Sequence, residues 1–224
     1  MLNDSVATAY TTVDGDFVHE LEIKRSRFIT YLRRVETEDA ARGLITELRK
    51  THFDARHHCS AFILGADRRA MRSNDDGEPS GTAGIPMLDA LAKRETAPGL
   101  TDLSDIVAVV VRYFGGILLG AGGLVRAYSE SVSSTLDLAP LIKRQRLRIL
   151  GIDADYAAAG RLENDLRAAG VQVLGTDYGP RVATLRIGLN DDATILAGFD
   201  DRLATLTAGA SNAVNLGTEW VDLR

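Results

Sequence analysis

Residues 111–124 read VRYFGGILLGAGGL, in which an apolar strand pattern passes through five glycines into a helical pattern. The strand extends back to Asp105, and the helix continues from about Leu119 to Leu138. Glycines let backbone N–H groups approach a ligand closely, and a helix N-terminus carries a partial positive charge. The stretch therefore predicts an anion or phosphate site, for which the candidate residues are Arg112, Gly115, Gly116, Gly120, Gly122 and Gly123.

A nucleotide-binding loop and simple packing are the other interpretations of this stretch. It lacks the Gly-Lys-Ser/Thr ending of a P-loop, and Val125 stands where a dinucleotide fingerprint needs its third glycine, so neither nucleotide hydrolysis nor NAD binding is indicated. The glycines could instead serve only tight strand-to-helix packing, which is about as plausible as an anion site. Arg112 could correspondingly be a phosphate ligand or the buried partner of an acid such as Asp105 or Glu130.

A second glycine-containing loop, residues 73–84, leads into a predicted helix at Ile85–Glu95. Thr82 and Gly84 at its end are further candidates for phosphate binding, since two such entrances could share a pocket. Asp75, Asp76 and Glu78 could hold Mg²⁺ or act as acid and base, but a solvated turn is the simpler interpretation. The whole segment from Arg68 to Ala83 is predicted to be a polar loop.

The segment Arg56-His57-His58-Cys59 begins a predicted buried strand, His57–Leu64. Alternation places His57 and Cys59 on one face and His58 with Arg56 on the other, so they cannot converge on one zinc ion. We predict no metal site. Cys59 is expected to be a buried structural thiol, and the histidines are candidates for contact with a nucleic-acid anion.

The one basic stretch with interleaved aromatics lies between residues 24 and 34, where no acid occurs. Such pairings hold single-stranded nucleic acid, although a solvated edge strand is the slightly simpler explanation. The candidate nucleic-acid contacts are Lys24, Arg25, Arg27, Arg56, His57 and His58.

The remaining pattern indicates an α+β protein of two domains. A strand entering a basic turn at Glu20–Leu32 and a helix at Thr37–Thr51 complete the first half, and a linker is expected near Pro140 and the basic segment Lys143–Arg146. The second half has the order βαββαβ, which is the ferredoxin-like arrangement. The predicted domains are residues 1–140 and 141–224.

Composition narrows the class of protein. The chain has 224 residues, is 45% hydrophobic and has a net charge of −5, which describes a globular protein without a basic nucleic-acid module by bulk charge. The sequence shows no targeting signal or membrane-spanning run, and its single cysteine fits a reducing compartment. A cytoplasmic location is expected.

Four motifs together resemble the IMPACT family, specifically its bacterial YigZ-type members. They are residues 22–29, 54–59, 75–84 and 110–123, in order and at the expected separations. The resemblance implies an N-terminal α/β sandwich like a domain of a small-subunit ribosomal protein, domain IV of elongation factor G and the GHMP kinases. It also implies a ferredoxin-like C-terminal domain and a role in translation. Eukaryotic relatives restrain a stress kinase of translation initiation by competing for its activator. They carry a separate N-terminal interaction domain, so the kinase mechanism is not carried over.

The leading functional hypothesis is a binding protein that regulates translation or a stress response, with RNA, the ribosome or a translation factor as partner. No cofactor, membrane partner or DNA sequence specificity is expected. The rival hypothesis is an enzyme acting on a small phosphorylated or acidic substrate, using Asp75, Asp76 or Glu78 with His57 or His58. The sequence identifies no complete set of nucleophile, base and orienting group, so an enzyme is the less favoured of the two.

Overall fold

The computed structural model describes residues 7–223 of the chain. The chain divides into two compact units, and the boundary along the sequence lies between Lys143 and Arg144. Residues 1–6 and 224 of the predicted domains lie outside the described part. The first unit contains β1 (Ala9–Val13), β2 (Phe17–Ile23), β3 (Ser26–Arg34), α1 (Glu38–Thr51), β4 (His57–Leu64), β5 (Ala70–Asn74), α2 (Gly84–Ala92), β6 (Ile106–Tyr113) and α3 (Ala121–Leu138). The elements that follow are β7 (Leu141–Ala154), α4 (Tyr156–Ala168), β8 (Gln172–Tyr178), β9 (Ala183–Asn190), α5 (Ala193–Thr207) and β10 (Ala213–Leu223).

The first unit is built on an antiparallel sheet with the strand order β2-β3-β6-β4-β5. Helix α1 contributes to the core on one face, and helices α2 and α3 contribute to the core on the other. Because both faces of the central strand β6 are covered, its residues from Ile106 to Val111 are all buried, which explains the unbroken apolar run. Even-numbered residues of β6 face α2 and α3, and odd-numbered residues face α1.

Helix α1 begins as the sequence predicts. The Thr37 hydroxyl accepts a hydrogen bond from the Ala40 N–H, and Glu38 and Asp39 lie in the first turn, where negative charge is favourable. Leu44 and Leu48 are buried against the sheet. The helix therefore combines a capped start with an apolar inner face.

Two predicted features of the first unit are corrected, and one strand is new. The expected strand at Glu20–Leu32 is a hairpin of β2 and β3, because Lys24 and Arg25 adopt positive φ angles and reverse the chain. The expected loop from Arg68 to Ala83 contains the edge strand β5, whose exposed side chains show no apolar alternation. Strand β1 was not predicted.

The second unit confirms the order βαββαβ. Strand β10 pairs with β7, β7 with β9, and β9 with β8, so the four strands follow the ferredoxin-like order. Helices α4 and α5 pack on one face of this sheet through Leu162, Leu166, Phe199 and Leu203. The segment Lys143–Arg146, predicted to be a linker, is strand β7 instead.

The mixed α/β fold class is confirmed, whereas the likeness of the first unit to ribosomal and elongation-factor domains stays a prediction. None of the helices within residues 7–223 is long and apolar enough to span a bilayer.

Candidate functional site

The four sequence motifs meet at one end of the sheet in the first unit. Arg112 on β6 is the register partner of Phe28 on β3 and of His57 on β4, so these three residues form a row across the sheet. All three lie on the face covered by α2 and α3. Positions far apart in the chain are therefore brought together by strand pairing.

The centre of this row is a buried ion pair. Arg112 Nη1 donates to Glu78 Oε1 at 2.5 Å, and the two side chains are 8% and 4% exposed. The Tyr128 hydroxyl donates to the same oxygen at 2.8 Å, and the Arg112 guanidinium lies over the rings of Phe28 and Phe114. Arg112 is thus a buried partner of an acid rather than an open phosphate fork.

The acid that pairs with Arg112 is neither of those suggested by the sequence. Asp105 binds the Tyr10 hydroxyl and the Gly65 N–H, and Glu130 is exposed on α3. Tyr128 was also missed, because its contact with Glu78 joins residues 50 positions apart and leaves no local pattern.

Asp75 occupies the N-terminus of α2. Its carboxylate accepts hydrogen bonds from the N–H groups of Gly81, Ala83 and Gly84, at 2.8, 3.0 and 2.7 Å. Burial raises the pKa of Asp75, but these three N–H donors together outweigh burial and hold the pKa below its ordinary value. An internal carboxylate therefore lies where the sequence analysis expects a bound phosphate.

Thr82 and Asp76 of the same loop also have partners within the protein. The Thr82 N–H and hydroxyl both donate to the Pro79 carbonyl. Asp76 accepts the His58 backbone N–H at 2.6 Å and pairs with Arg49 of α1. Asp75, Asp76 and Glu78 thus point to three different parts of the unit, and residues 7–223 contain no group of three potential metal ligands.

The structure separates the two neighbouring histidines, as strand alternation predicts. His57 faces the Glu78 side, with Nε2 4.0 Å from Glu78 Oε1. Its Nδ1 lies 2.9 Å from the Asp76 carbonyl, which can only accept, so Nδ1 carries the proton and a neutral His57 presents the lone pair of Nε2. His58 lies on the α1 side, where burial and then the charge of Arg49 lower its pKa.

Cys59 is fully buried beside Asp75 and Tyr128. Its Sγ lies 3.0 Å from the Asp75 carbonyl and 3.3 Å from the Tyr128 hydroxyl. Burial raises the pKa of the thiol to about 12, partly offset by the Tyr128 hydrogen bond. A thiol so rarely ionised at neutral pH is a poor nucleophile, which supports a structural role.

The glycines of the β6–α3 connection have different physical roles. A Cβ on Gly115 would come within 2.0 Å of the Arg25 carbonyl, so glycine is required for the loop to lie against the β2–β3 turn. Its N–H donates to the Ser26 hydroxyl. Gly116 and Gly120 adopt positive φ angles of 84° and 72°, which favour glycine.

The start of α3 remains suited to an anion. Gly120 is the N-cap residue, and no side chain among the described residues 7–223 caps this end. The N–H groups of Ala121, Gly122 and Gly123 have no intrahelical acceptor, as in the first turn of any helix. Among the glycines singled out by the sequence, Gly120, Gly122 and Gly123 are therefore the ones placed to donate to a ligand.

The basic stretch is largely neutralised by acids from elsewhere in the unit. Arg27 pairs with Glu20 across the hairpin, and Arg33 pairs with both Asp16 and Glu47. Within residues 7–223, Lys24 and Arg25 form no ion pair, and both are exposed at the hairpin turn beside Gly115. The positive charge of this stretch that is free to bind an anion is therefore concentrated at the β2–β3 turn.

A pocket of about 350 Å³ opens between the start of α3, the end of β6 and the start of β4. Its lining includes Arg56, His57, Glu78, Arg112, Phe114 and Gly120. Phe114 is half exposed, so it offers an aromatic surface beside the start of α3. The pocket combines an exposed cation, a half-exposed ring and a helix N-terminus above a buried ion pair. We call it the Arg112 pocket.

Comparison with known proteins identifies the class to which this fold and site belong. Residues 24–136 match the Impact N-terminal domain, and residues 152–210 match a domain of unknown function, DUF1949. The chain belongs to the IMPACT family.

Individual relatives support the predicted YigZ-type assignment. The chain is 38% identical to the IMPACT family member YigZ of Escherichia coli over 84% of this chain and 89% of that protein. It is 48% identical to YvyE of Bacillus subtilis over 71% of this chain and 70% of that protein. A solved structure described as a hypothetical protein is 34% identical, covers 94% of this chain and 98% of its own, and superposes with a TM-score of 0.60.

Proposed function

We propose that this protein binds single-stranded RNA in the cytoplasm through the Arg112 pocket and thereby regulates translation or a stress response. The observation that carries the proposal is the convergence of the α3 N-terminus, the exposed cations Lys24, Arg25 and Arg56, and the Phe114 ring at one end of the sheet. Backbone N–H groups and arginines bind phosphate, and an aromatic ring stacks on a base. The ribosome is a partner of the same chemistry.

The buried ion pair has a supporting role in this proposal. Arg112 is held by Glu78 beneath the pocket, so it positions the β6–α3 loop rather than forming a direct phosphate fork. Direct phosphate contacts are assigned to Arg25, Arg56 and the first turn of α3.

The test is binding of a short fluorescent single-stranded RNA, followed by anisotropy over a range of salt concentrations. Each lost phosphate contact lowers the slope of log affinity against log salt by about 0.7 for a single strand. We expect that decrease for Arg25→Gln and for Arg56→Gln. Arg33→Gln is the matched control, because it removes the same charge from an arginine already bound to Asp16 and Glu47. Salt-insensitive binding, or equal effects of all three substitutions, would refute the proposal.

A second candidate function is catalysis on a small phosphorylated substrate. The observation that favours it is the His57 imidazole, whose Nε2 lies 4.0 Å from the buried Glu78 carboxylate within the pocket. Turnover of a phosphate monoester by the wild type, lost in His57→Gln without loss of folding, would select this function over RNA binding.

A further inference from the structure

A second crevice lies on the opposite face of the sheet, beside α1. It has a volume of about 340 Å³, and its polar lining residues are Arg42, Thr46, Arg49, His58, Ser60 and Asn74. It shares no lining residue with the Arg112 pocket. The two spaces are therefore separate sites on the two faces of one sheet.

The buried ring of His58 lines this crevice. The side chain is 4% exposed, and within residues 7–223 its Nε2 has no hydrogen-bond partner. The other ring nitrogen lies 3.8 Å from Asp76 Oδ2, and the Asp76 carboxylate also holds the His58 backbone N–H. A buried polar nitrogen without a partner costs free energy in the unliganded protein.

Among the described residues, the lining is rich in hydrogen-bond donors and contains no carboxylate. Two guanidinium groups, two hydroxyls, one amide and one imidazole can all donate a hydrogen bond. Arg49 pairs with Asp76, and Arg42 lies 3.5 Å from Glu38, but each guanidinium has five N–H groups and these contacts use only part of them. Such a set matches a ligand with several acceptor oxygens and negative charge.

We propose that this crevice, between α1 and the strands β4 and β5, binds a small phosphate-bearing ligand through His58, Arg42 and Arg49. The proposal does not depend on RNA binding at the Arg112 pocket. It gives His58, which the sequence grouped with His57, a separate ligand on the opposite face.

The test uses the full chain, with inorganic phosphate as the probe and the ring ¹⁵N resonances of the four histidines as the readout. Phosphate should shift the His58 ring signals in a saturable manner. Arg42→Gln should weaken the apparent affinity by about threefold to fivefold, as expected for one exposed charge contact. Arg42 is exposed, so the substitution should leave the protein folded.

Lys50→Gln is the matched control, because Lys50 is an exposed cation of the same helix that does not line the crevice. Unchanged phosphate affinity in Lys50→Gln supports a local site, whereas an effect equal to that of Arg42→Gln overturns it. Phosphate shifts confined to His57, or absent from every histidine, also overturn the proposal. RNA affinity measured on Arg42→Gln should equal that of the wild type, which separates this test from that of the proposed function.

Discussion

Arg112 Nη1 and Glu78 Oε1 lie 2.5 Å apart in an ion pair that joins strand β6 to the loop before α2. Neither side chain is more than 8% exposed, so the attraction between the two charges must offset the free energy that each loses when its hydration is removed. The pair connects the two motifs from which the sequence analysis expected a ligand site. Its strength determines how far Arg112 can be altered without unfolding the unit.

We expect Glu78→Gln to lower the free energy of unfolding by about 3 kcal/mol, because it leaves the Arg112 charge buried without a counter-charge. Urea unfolding at neutral pH measures the change. Combining Glu78→Leu with Arg112→Met removes both charges and should recover much of the loss. Exposed Glu22→Gln is the control and should change stability by less than about 0.5 kcal/mol. A double variant no more stable than the single variant would contradict this interpretation.

Asp75→Asn should destabilise the protein by about 1–2 kcal/mol at pH 7, because the amide replaces a carboxylate that caps α2. The folded-state pKa of Asp75 is lowered, so its contribution is fully present above its ordinary pKa of 3.8 and is lost as pH falls through the folded value. The difference in unfolding free energy between wild type and variant should therefore shrink below about pH 4. Asp89→Asn, which alters an exposed pair with Lys93, should show only a small effect. A difference that grows on acidification would contradict the capping role.

Features carried by local pattern were predictable from the sequence. Helix α1 was expected from a capped start at Thr37 and apolar residues at helical spacing, and strand β6 from its continuous aliphatic run. The opposite orientations of His57 and His58 follow from strand alternation alone. Strand β5 was missed because its exposed side chains carry no hydrophobic period.

The internal partners of the candidate site were not predictable in the same way. Glu78 and Arg112 are 34 positions apart, and Arg33 meets Asp16 and Glu47 only after the hairpin and α1 have formed. A single sequence shows where charges are concentrated, but not which of them the fold pairs. Counting the basic residues between positions 24 and 34 therefore overestimates the positive charge that is available to a nucleic acid.

Cys59 should react very slowly with a thiol reagent in the native protein, because it is fully buried and its pKa is raised to about 12. The rate of modification in native buffer, compared with that in denaturing urea, tests this expectation. Cys59→Ala should cost about 1 kcal/mol and leave RNA affinity unchanged. Rapid native modification together with loss of binding would instead make Cys59 part of the functional site.

Gly115→Ala should both destabilise the first unit and weaken RNA binding. A Cβ at this position would lie 2.0 Å from the Arg25 carbonyl, so the β6–α3 loop and the β2–β3 turn must move apart. Forcing a methyl group into packed structure costs about 1–3 kcal/mol. The same movement separates Arg25 from the start of α3 and so disrupts the proposed phosphate site.

Gly122→Ala is the matched control for the steric part of this last prediction. The nearest group to its added Cβ is the end of the Arg126 side chain at 4.0 Å, and Gly122 lies in the first turn of α3. Alanine keeps the N–H and is favoured in a helix by up to about 1 kcal/mol, so stability should be unchanged or slightly higher. Urea unfolding and RNA anisotropy on both variants give the comparison. If Gly115→Ala matched Gly122→Ala in both measurements, the close contact with Arg25 would have no part in the site.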